Sequence, residues 1–229
     1  MNRMEMKKTL WFPVLLVAAV SFSGSAQAQP GPVHTGSIEV GVFGAGQFGD
    51  VADVSAGVVA PGFKIAGASG GGGGFNIGIA MNRRFVFQGE ASFADGGGRQ
   101  YSTVAASPTP FFIQTSTRAW IYEADLNMRF QPKSSKFVPY LLIGGAGIQT
   151  RADALVTNSN PAAIAPNPAN TALQTSFRQT TFAPALGAGF RQYVTPKFGF
   201  RMELKGYFPT GDVKSPFSRL SGGVFFQFK

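Results

Sequence analysis

The stretch Ala119-Trp120-Ile121-Tyr122-Glu123-Ala124-Asp125-Leu126-Asn127-Met128-Arg129-Phe130 decides the fold. Trp120, Tyr122, Ala124, Leu126, Met128 and Phe130 share one parity, and Glu123, Asp125, Asn127 and Arg129 share the other. A period of two belongs to a strand, whose successive side chains point to opposite faces. This segment therefore has one apolar and one charged wall.

The same rule holds to either side of it. At 198–208, Phe198, Phe200, Met202, Leu204 and Phe208 oppose Arg201, Glu203, Lys205 and Tyr207, and at 85–95, Phe85, Phe87, Ala91 and Phe93 oppose Gln88, Glu90 and Ser92. Weaker copies follow. Ile38, Val40 and Val42 oppose Glu39 and Gln47; Phe75, Ile77, Ile79 and Met81 oppose Asn76, Gly78 and Asn82. Phe182, Leu186 and Phe190 oppose Gly187, Gly189, Arg191 and Tyr193, while Leu220, Val224, Phe226 and Phe228 oppose Arg219, Ser221, Gln227 and Lys229. Residues 137–149 are apolar on both faces, so their inside is unassigned; Pro139 sits near the strand start, where a missing ladder donor is tolerated.

Connections between these eight segments alternate in length. Residues 49–73, 95–117, 150–179 and 209–218 are long and rich in polar residues, Gly, Pro or Ala, whereas 82–84, 131–136 and 194–197 are short. Long loops on one rim and tight turns on the other are the plan of a transmembrane up-and-down β-barrel. Segments of about eleven residues suit tilted strands that cross the hydrocarbon, which need roughly 9–11. The expected fold is all-β, an eight-stranded antiparallel barrel with both termini on the tight-turn rim. A soluble lipocalin-like barrel is the alternative, but it keeps apolar side chains inside and polar ones outside. Here the apolar wall would expose a patch far larger than a soluble monomer tolerates.

Composition agrees with this reading. Charged residues are 14% of the 229, Phe occurs 23 times, Gly 30 times and Cys never. Disulfides, thiolate zinc sites and cysteine nucleophiles are excluded. The N-terminus reads as an address: Arg3, Lys7 and Lys8 precede the eleven-residue apolar run Leu10–Val20, and Ala26-Gln27-Ala28 offers a small-x-small cleavage site. That is a secretory signal peptide over 1–28, followed by a periplasmic segment 29–35 and the barrel 36–229. Its run is too short to span as a helix, which takes about 20 residues. Removing residues 1–28, with three bases and one acid, lowers the formal net charge from +9 to +7. An exported basic chain points to anionic lipid and lipopolysaccharide, not to nucleic acid.

Several stretches resemble the small outer-membrane β-barrel family related to the OmpA transmembrane domain and the opacity proteins. They are Pro139-Tyr140-Leu141-Leu142-Ile143-Gly144-Gly145-Ala146-Gly147 and Gly187-Ala188-Gly189-Phe190-Arg191-Gln192-Tyr193-Val194-Thr195-Pro196-Lys197, with Phe198-Gly199-Phe200-Arg201-Met202-Glu203 after them. The last strand, Gly222-Gly223-Val224-Phe225-Phe226-Gln227-Phe228-Lys229, looks like the C-terminal signal of such barrels, with Lys229 after the usual final aromatic. The resemblance implies a bacterial outer-membrane location, recognition by the barrel-insertion machinery and a monomer. A peptidoglycan-binding domain after Lys229, which some relatives carry, is not expected, so the resemblance does not imply cell-wall anchoring.

Barrels of this kind that are enzymes generally use a histidine base. The single histidine, His34, precedes the first strand on the periplasmic side, out of reach of an outer site. No enzyme activity, cofactor or metal site is expected. Gly44-Ala45-Gly46-Gln47-Phe48-Gly49 fits a G-x-G-x-x-G pattern, but it lies in a strand of an all-β chain and lacks the βαβ context a dinucleotide site needs. Gly70–Gly74 reads as a flexible loop end.

The candidate site is the charged wall. Glu39, Glu90, Glu123, Asp125 and Glu203 face inward with Arg129, Arg191, Arg201, Lys205 and Arg219. In sequential strand order Glu90, Glu123 and Asp125 confront Arg201, Lys205 and Arg219 across a lumen just wide enough for side chains to fill. Such groups pair and plug the barrel, because an isolated interior charge costs several kcal/mol. A gated ion path, in a small transport barrel for ions or apolar solutes, is the other use of the same charges. Trp120, Tyr122, Phe130, Phe198, Phe200, Phe226 and Phe228 are expected to face lipid. Loop 95–117 contains Tyr101, Phe111, Phe112 and Ile113, and its second half could continue the following strand above the membrane. On the outer rim, Lys64, Arg99, Arg118, Arg151, Arg178 and Lys214 are either solvated or in contact with lipopolysaccharide phosphates. The loops are the expected interaction sites.

Overall fold

The computed structural model describes residues 35–49, 53–55, 64–66, 70–103, 111–130, 136–158, 173–210 and 216–228. The proposed signal peptide, His34, Lys214 and Lys229 lie outside them, as do the side chains of Lys64 and Arg99. Ten strands follow in chain order: β1 (Ile38–Phe48), β2 (Asp53–Ser55), β3 (Lys64–Ala66), β4 (Gly71–Ala80), β5 (Phe85–Thr103), β6 (Phe111–Arg129), β7 (Phe137–Asn158), β8 (Leu173–Tyr193), β9 (Phe198–Tyr207) and β10 (Phe217–Phe228).

Eight of them close an antiparallel barrel in the order β1-β10-β9-β8-β7-β6-β5-β4, with β4 returning to β1 through pairs such as Val40↔Ile77. The fold is the expected eight-stranded up-and-down barrel. Closure pairs every strand on both sides through the membrane zone, which leaves no sheet edge in lipid. β2 and β3 form a separate two-stranded sheet inside the β1–β4 connection, where a loop is expected.

Two described turns of the short rim show why they are short. Asn82 Oδ1 accepts from Arg84 N at 2.8 Å and Phe85 N at 2.9 Å. Thr195 Oγ1 accepts from Lys197 N at 3.3 Å and Phe198 N at 3.1 Å. Asx and Ser/Thr side chains that bond the backbone in this way hold a tight reversal without longer loops.

The long rim carries more strand than the loop assignment implies, although residues 111–117 do continue the following strand as anticipated. Most of 95–117 and 150–179 is strand: β5 and β6 stay paired to Thr103↔Phe111, and β7 and β8 to Val156↔Leu173. Alternating Thr, Ser and apolar residues with β propensity continue the ladder once the barrel has set its register. β7 thereby reaches 22 residues, about 70 Å at roughly 3.3 Å per residue. Its outward apolar band ends near Gly147, so the outer half of β5–β8 stands above the hydrocarbon. Gly71–Gly74 also lie in a strand, between β1 and β5, and are not a loop end. A Cβ on Gly74 would stand 2.7 Å from the Phe43 ring, so the missing side chain admits that ring.

Candidate functional site

Parity sorts the two walls as the sequence implies. Trp120, Tyr122, Phe130, Phe200, Phe226 and Phe228 are exposed on the outer face, and Phe198 is half-exposed there against Phe226 with ring centroids 5.0 Å apart. Aromatic rings gather in two girdles. Phe48, Phe93, Trp120, Phe182 and Phe208 form the one toward the long rim, and Phe87, Phe130, Phe137, Phe200, Phe226 and Phe228 the one toward the short turns. Leu126, Leu141, Ile143, Leu186 and Leu204 fill the band between. Apolar bands flanked by aromatic girdles are the outer surface of a barrel in a bilayer.

Inside, Glu90, Glu123, Asp125, Arg129, Arg191, Arg201, Glu203, Lys205 and Arg219 are all buried, and Glu39 with them. They form two linked groups. Toward the short turns, Glu39 of β1 accepts from Arg129 of β6 at 3.0 Å and from Arg191 of β8 at 3.0 Å. Arg191 also donates to Gln88 Oε1 at 3.0 Å, which takes a second bond from Asn127 at 3.0 Å. Toward the long rim, Lys205 of β9 reaches Asp125 at 2.6 Å, Glu123 at 2.8 Å and Glu90 at 3.4 Å. Arg201 donates to Glu90 at 3.1 Å, and Arg219 of β10 pairs with both Glu90 and Glu123. Glu203 belongs to the same group, 3.4 Å from Arg201 and 3.6 Å from Lys205, and Gln88 Nε2, which donates to Glu90 at 3.5 Å, links the two groups. Five acids meet five bases, so the layer is formally neutral.

Sequence reading puts Tyr207 on the inward wall but leaves Tyr140 and Phe43 unassigned. Tyr140 donates to Glu203 at 2.5 Å and lies under the Arg191 guanidinium, 4.3 Å from carbon to ring centroid. Tyr207 donates to Glu123 at 2.8 Å. Phe43 lies under the guanidiniums of Arg201 and Arg219, at 5.1 and 5.5 Å. Strand β7, unassigned from its own sequence, turns Val138, Tyr140, Leu142, Ala146 and Ile148 inward. Its register supplies the missing signal: Tyr140 pairs with Arg129, an inward residue of β6, and opposite neighbours share a face. On its other side Tyr140 pairs with Gly189, where a Cβ would stand 2.7 Å from the phenol ring. Glycine on the wall makes the room for the aromatic ring beside it.

Apolar layers close the charged layer at both ends. Ala80, Val86, Val138, Tyr193 and Phe225 pack on the short-turn side. Ala94, Ala119, Ile121, Ala146, Ile148, Ala183, Ala185, Tyr207 and Phe217 pack on the other, with the Tyr207 and Phe217 rings stacked at 4.6 Å. Such an arrangement holds charges in place; among the described residues no cluster of His, Cys, Asp and Glu is arranged to bind a metal ion.

The chain is similar in structure to Ail, the attachment invasion locus protein of Yersinia pestis, at 12% identity and a TM-score of 0.49, covering 85% of this chain and 99% of that one. It is similar to the N-terminal β-barrel domain of Pseudomonas aeruginosa OprF at 18% identity and a TM-score of 0.46, over 86% and 100% of the two chains. For P. aeruginosa OprG the values are 12%, 0.47, 86% and 98%. No curated protein sequence matches. Residues 12–224 match the family model of the outer membrane protein beta-barrel domain, and with this match, the closed eight-stranded barrel and the girdled apolar exterior, the chain belongs to that family of bacterial outer-membrane proteins.

Proposed function

We propose that this protein is a non-enzymatic outer-membrane barrel, closed to solutes by its interior charges, which acts through the part of β5–β8 that stands above the membrane. Residues 1–28 are read as its cleaved export signal, 29–35 as a periplasmic lead and 36–229 as the barrel, inserted as a monomer by the barrel-insertion machinery. The observation that carries the closure is the neutral layer of five acids and five bases held between two apolar layers. An ion crossing it would have to break several charge-assisted bonds and pass two apolar clusters. Aqueous channels belong to barrels of roughly sixteen strands. A structural or surface-interaction role follows for the projecting strands and loops.

A second reading, a small transport barrel for ions or apolar solutes, draws on one observation. Arg129 Nε and Nη1, Arg191 Nη1 and Arg219 Nε have no hydrogen-bond partner among the described residues, and such donors could serve a passing anion or water. Planar-bilayer recording of the purified protein decides between the two. The plug reading expects no stable conductance; steady, long-lived channels overturn it in favour of transport.

A further inference from the structure

Three arginines from three strands stand side by side on the outer wall. Register pairs Arg118 of β6 with Arg151 of β7, and Arg151 with Arg178 of β8. All three are exposed, and the Arg151 side chain is 50% accessible. Their inward neighbours Thr117, Ala119, Thr150 and Ala152 are buried, so the guanidiniums point away from the barrel.

Like charges directly opposite on a sheet destabilise it. Two acids lie beside the row: Asp95 pairs in register with Arg118, and Asp153 accepts from Arg151 Nε at 3.3 Å and from Ser176 Oγ at 2.6 Å. Three bases against two acids leave a positive row. One register step toward the membrane lie Trp120, Gln149 and Thr180, with Phe93 against Trp120 at 5.1 Å. One step outward lie Ser116, Asp153 and Ser176. The row thus sits directly above the aromatic girdle, flanked by hydroxyl and amide groups, at the height of outer-leaflet headgroups.

We propose that Arg118, Arg151 and Arg178 form a binding row for the phosphate groups of an outer-leaflet glycolipid, the phosphorylated lipid anchor of lipopolysaccharide. Guanidinium forks match phosphate oxygens in a bidentate way. A phosphate across two arginines replaces their repulsion by attraction, and Trp120 and Phe93 offer a stacking surface to the sugar below it. The inference rests on the outer-membrane reading, since only an inserted barrel brings the row to headgroup height.

Trp120 is the natural reporter, because the only other tryptophan is Trp11. The full chain carrying Trp11→Phe is folded in neutral detergent micelles and titrated with bis-phosphorylated lipid A while Trp120 emission is followed. Saturable binding is expected, weakened about tenfold in R118Q/R151Q/R178Q and to the same extent with dephosphorylated lipid A, as three exposed ionic contacts would give. Equal binding of the two lipids, or full affinity in the triple variant, overturns the proposal. Inorganic phosphate that competes as strongly as the lipid overturns the glycolipid assignment. Heat-dependent gel mobility is read on the same samples. Its absence from the parent chain would instead reject the barrel reading, and its presence in the triple variant shows that the wall is intact.

Discussion

Lys205 is the residue whose loss tests the charged layer most directly. Its ammonium lies at 2.6 Å from Asp125, 2.8 Å from Glu123, 3.4 Å from Glu90 and 3.6 Å from Glu203, with no solvent exposure. Lys205→Met keeps most of the volume and removes the cation, which leaves four carboxylates to share Arg201 and Arg219 and gives the layer a net charge of −1. Removing one partner of a buried pair costs about 3–5 kcal/mol, because the remaining charge stays buried. Asp125 is the most exposed to this loss, since Lys205 is its one ion-pair partner among the described residues. At about 2 kcal/mol per M urea, the unfolding midpoint in lipid vesicles should fall by roughly 1.5–2.5 M. Asp125→Asn in the Lys205→Met background restores neutrality and should recover about half of the loss or more, since neutral replacement of a whole pair is often tolerated. A Lys205→Met midpoint within about 0.3 M of the parent, or a double variant as unstable as the single one, refutes the view that charge balance holds this layer together.

Three further perturbations probe other parts of the argument. Tyr140→Phe strips Glu203 of its hydroxyl donor and should cost about 1–3 kcal/mol, whereas Gly189→Ala forces a methyl against the Met202 carbonyl and the same ring and should cost a similar ~1–3 kcal/mol by overpacking; unfolding titrations of the two variants that match the parent would discard this packing account. On the outer wall of β7, Ile143→Arg at a residue 67% exposed should destabilise the barrel in bilayers by about 2–4 kcal/mol. Gln149→Arg, level with Trp120 of the girdle on the same face, should cost at most about 1 kcal/mol, and equal costs would place the lipid boundary elsewhere. In the projecting part of β7, the Ser176 hydroxyl and the Arg151 guanidinium hold the Asp153 carboxyl below its ordinary range. A lowered carboxyl stabilises the β7–β8 pairing above the ordinary carboxylate range, and that contribution fades as pH falls through the folded midpoint. Carbon NMR of the carboxyl should show this midpoint, and Ser176→Ala should raise it; an unchanged midpoint would remove the hydroxyl's role.

The alternation in 119–130 was enough to assign both walls, because facing in a strand is set by parity, a property of neighbouring residues. The same holds for 85–95 and 198–208, so the inward place of Glu90, Glu123, Asp125, Arg201, Glu203 and Lys205 and the outward place of Trp120 and Phe200 were legible locally. Turn lengths added the barrel plan and the side of each rim. Opposition of Glu90, Glu123 and Asp125 to Arg201, Lys205 and Arg219 followed from strand order alone.

Other features depend on closure and register, which no single strand contains. Residues 137–149 have apolar side chains on both faces, and only pairing of Tyr140 with Arg129 and Gly189 decided which of them turn inward. Glu39 receives Arg129 and Arg191 from residues 90 and 152 positions away, a meeting decided by β1 closing on β10 and β4. Extension of β5–β8 beyond the membrane, the strand state of Gly71–Gly74 and the row of Arg118, Arg151 and Arg178 likewise arose from how far each ladder runs and which residues it sets opposite. Parity by itself determined what each residue faces; only the tertiary structure, by fixing register around a closed ring, decided what each residue meets.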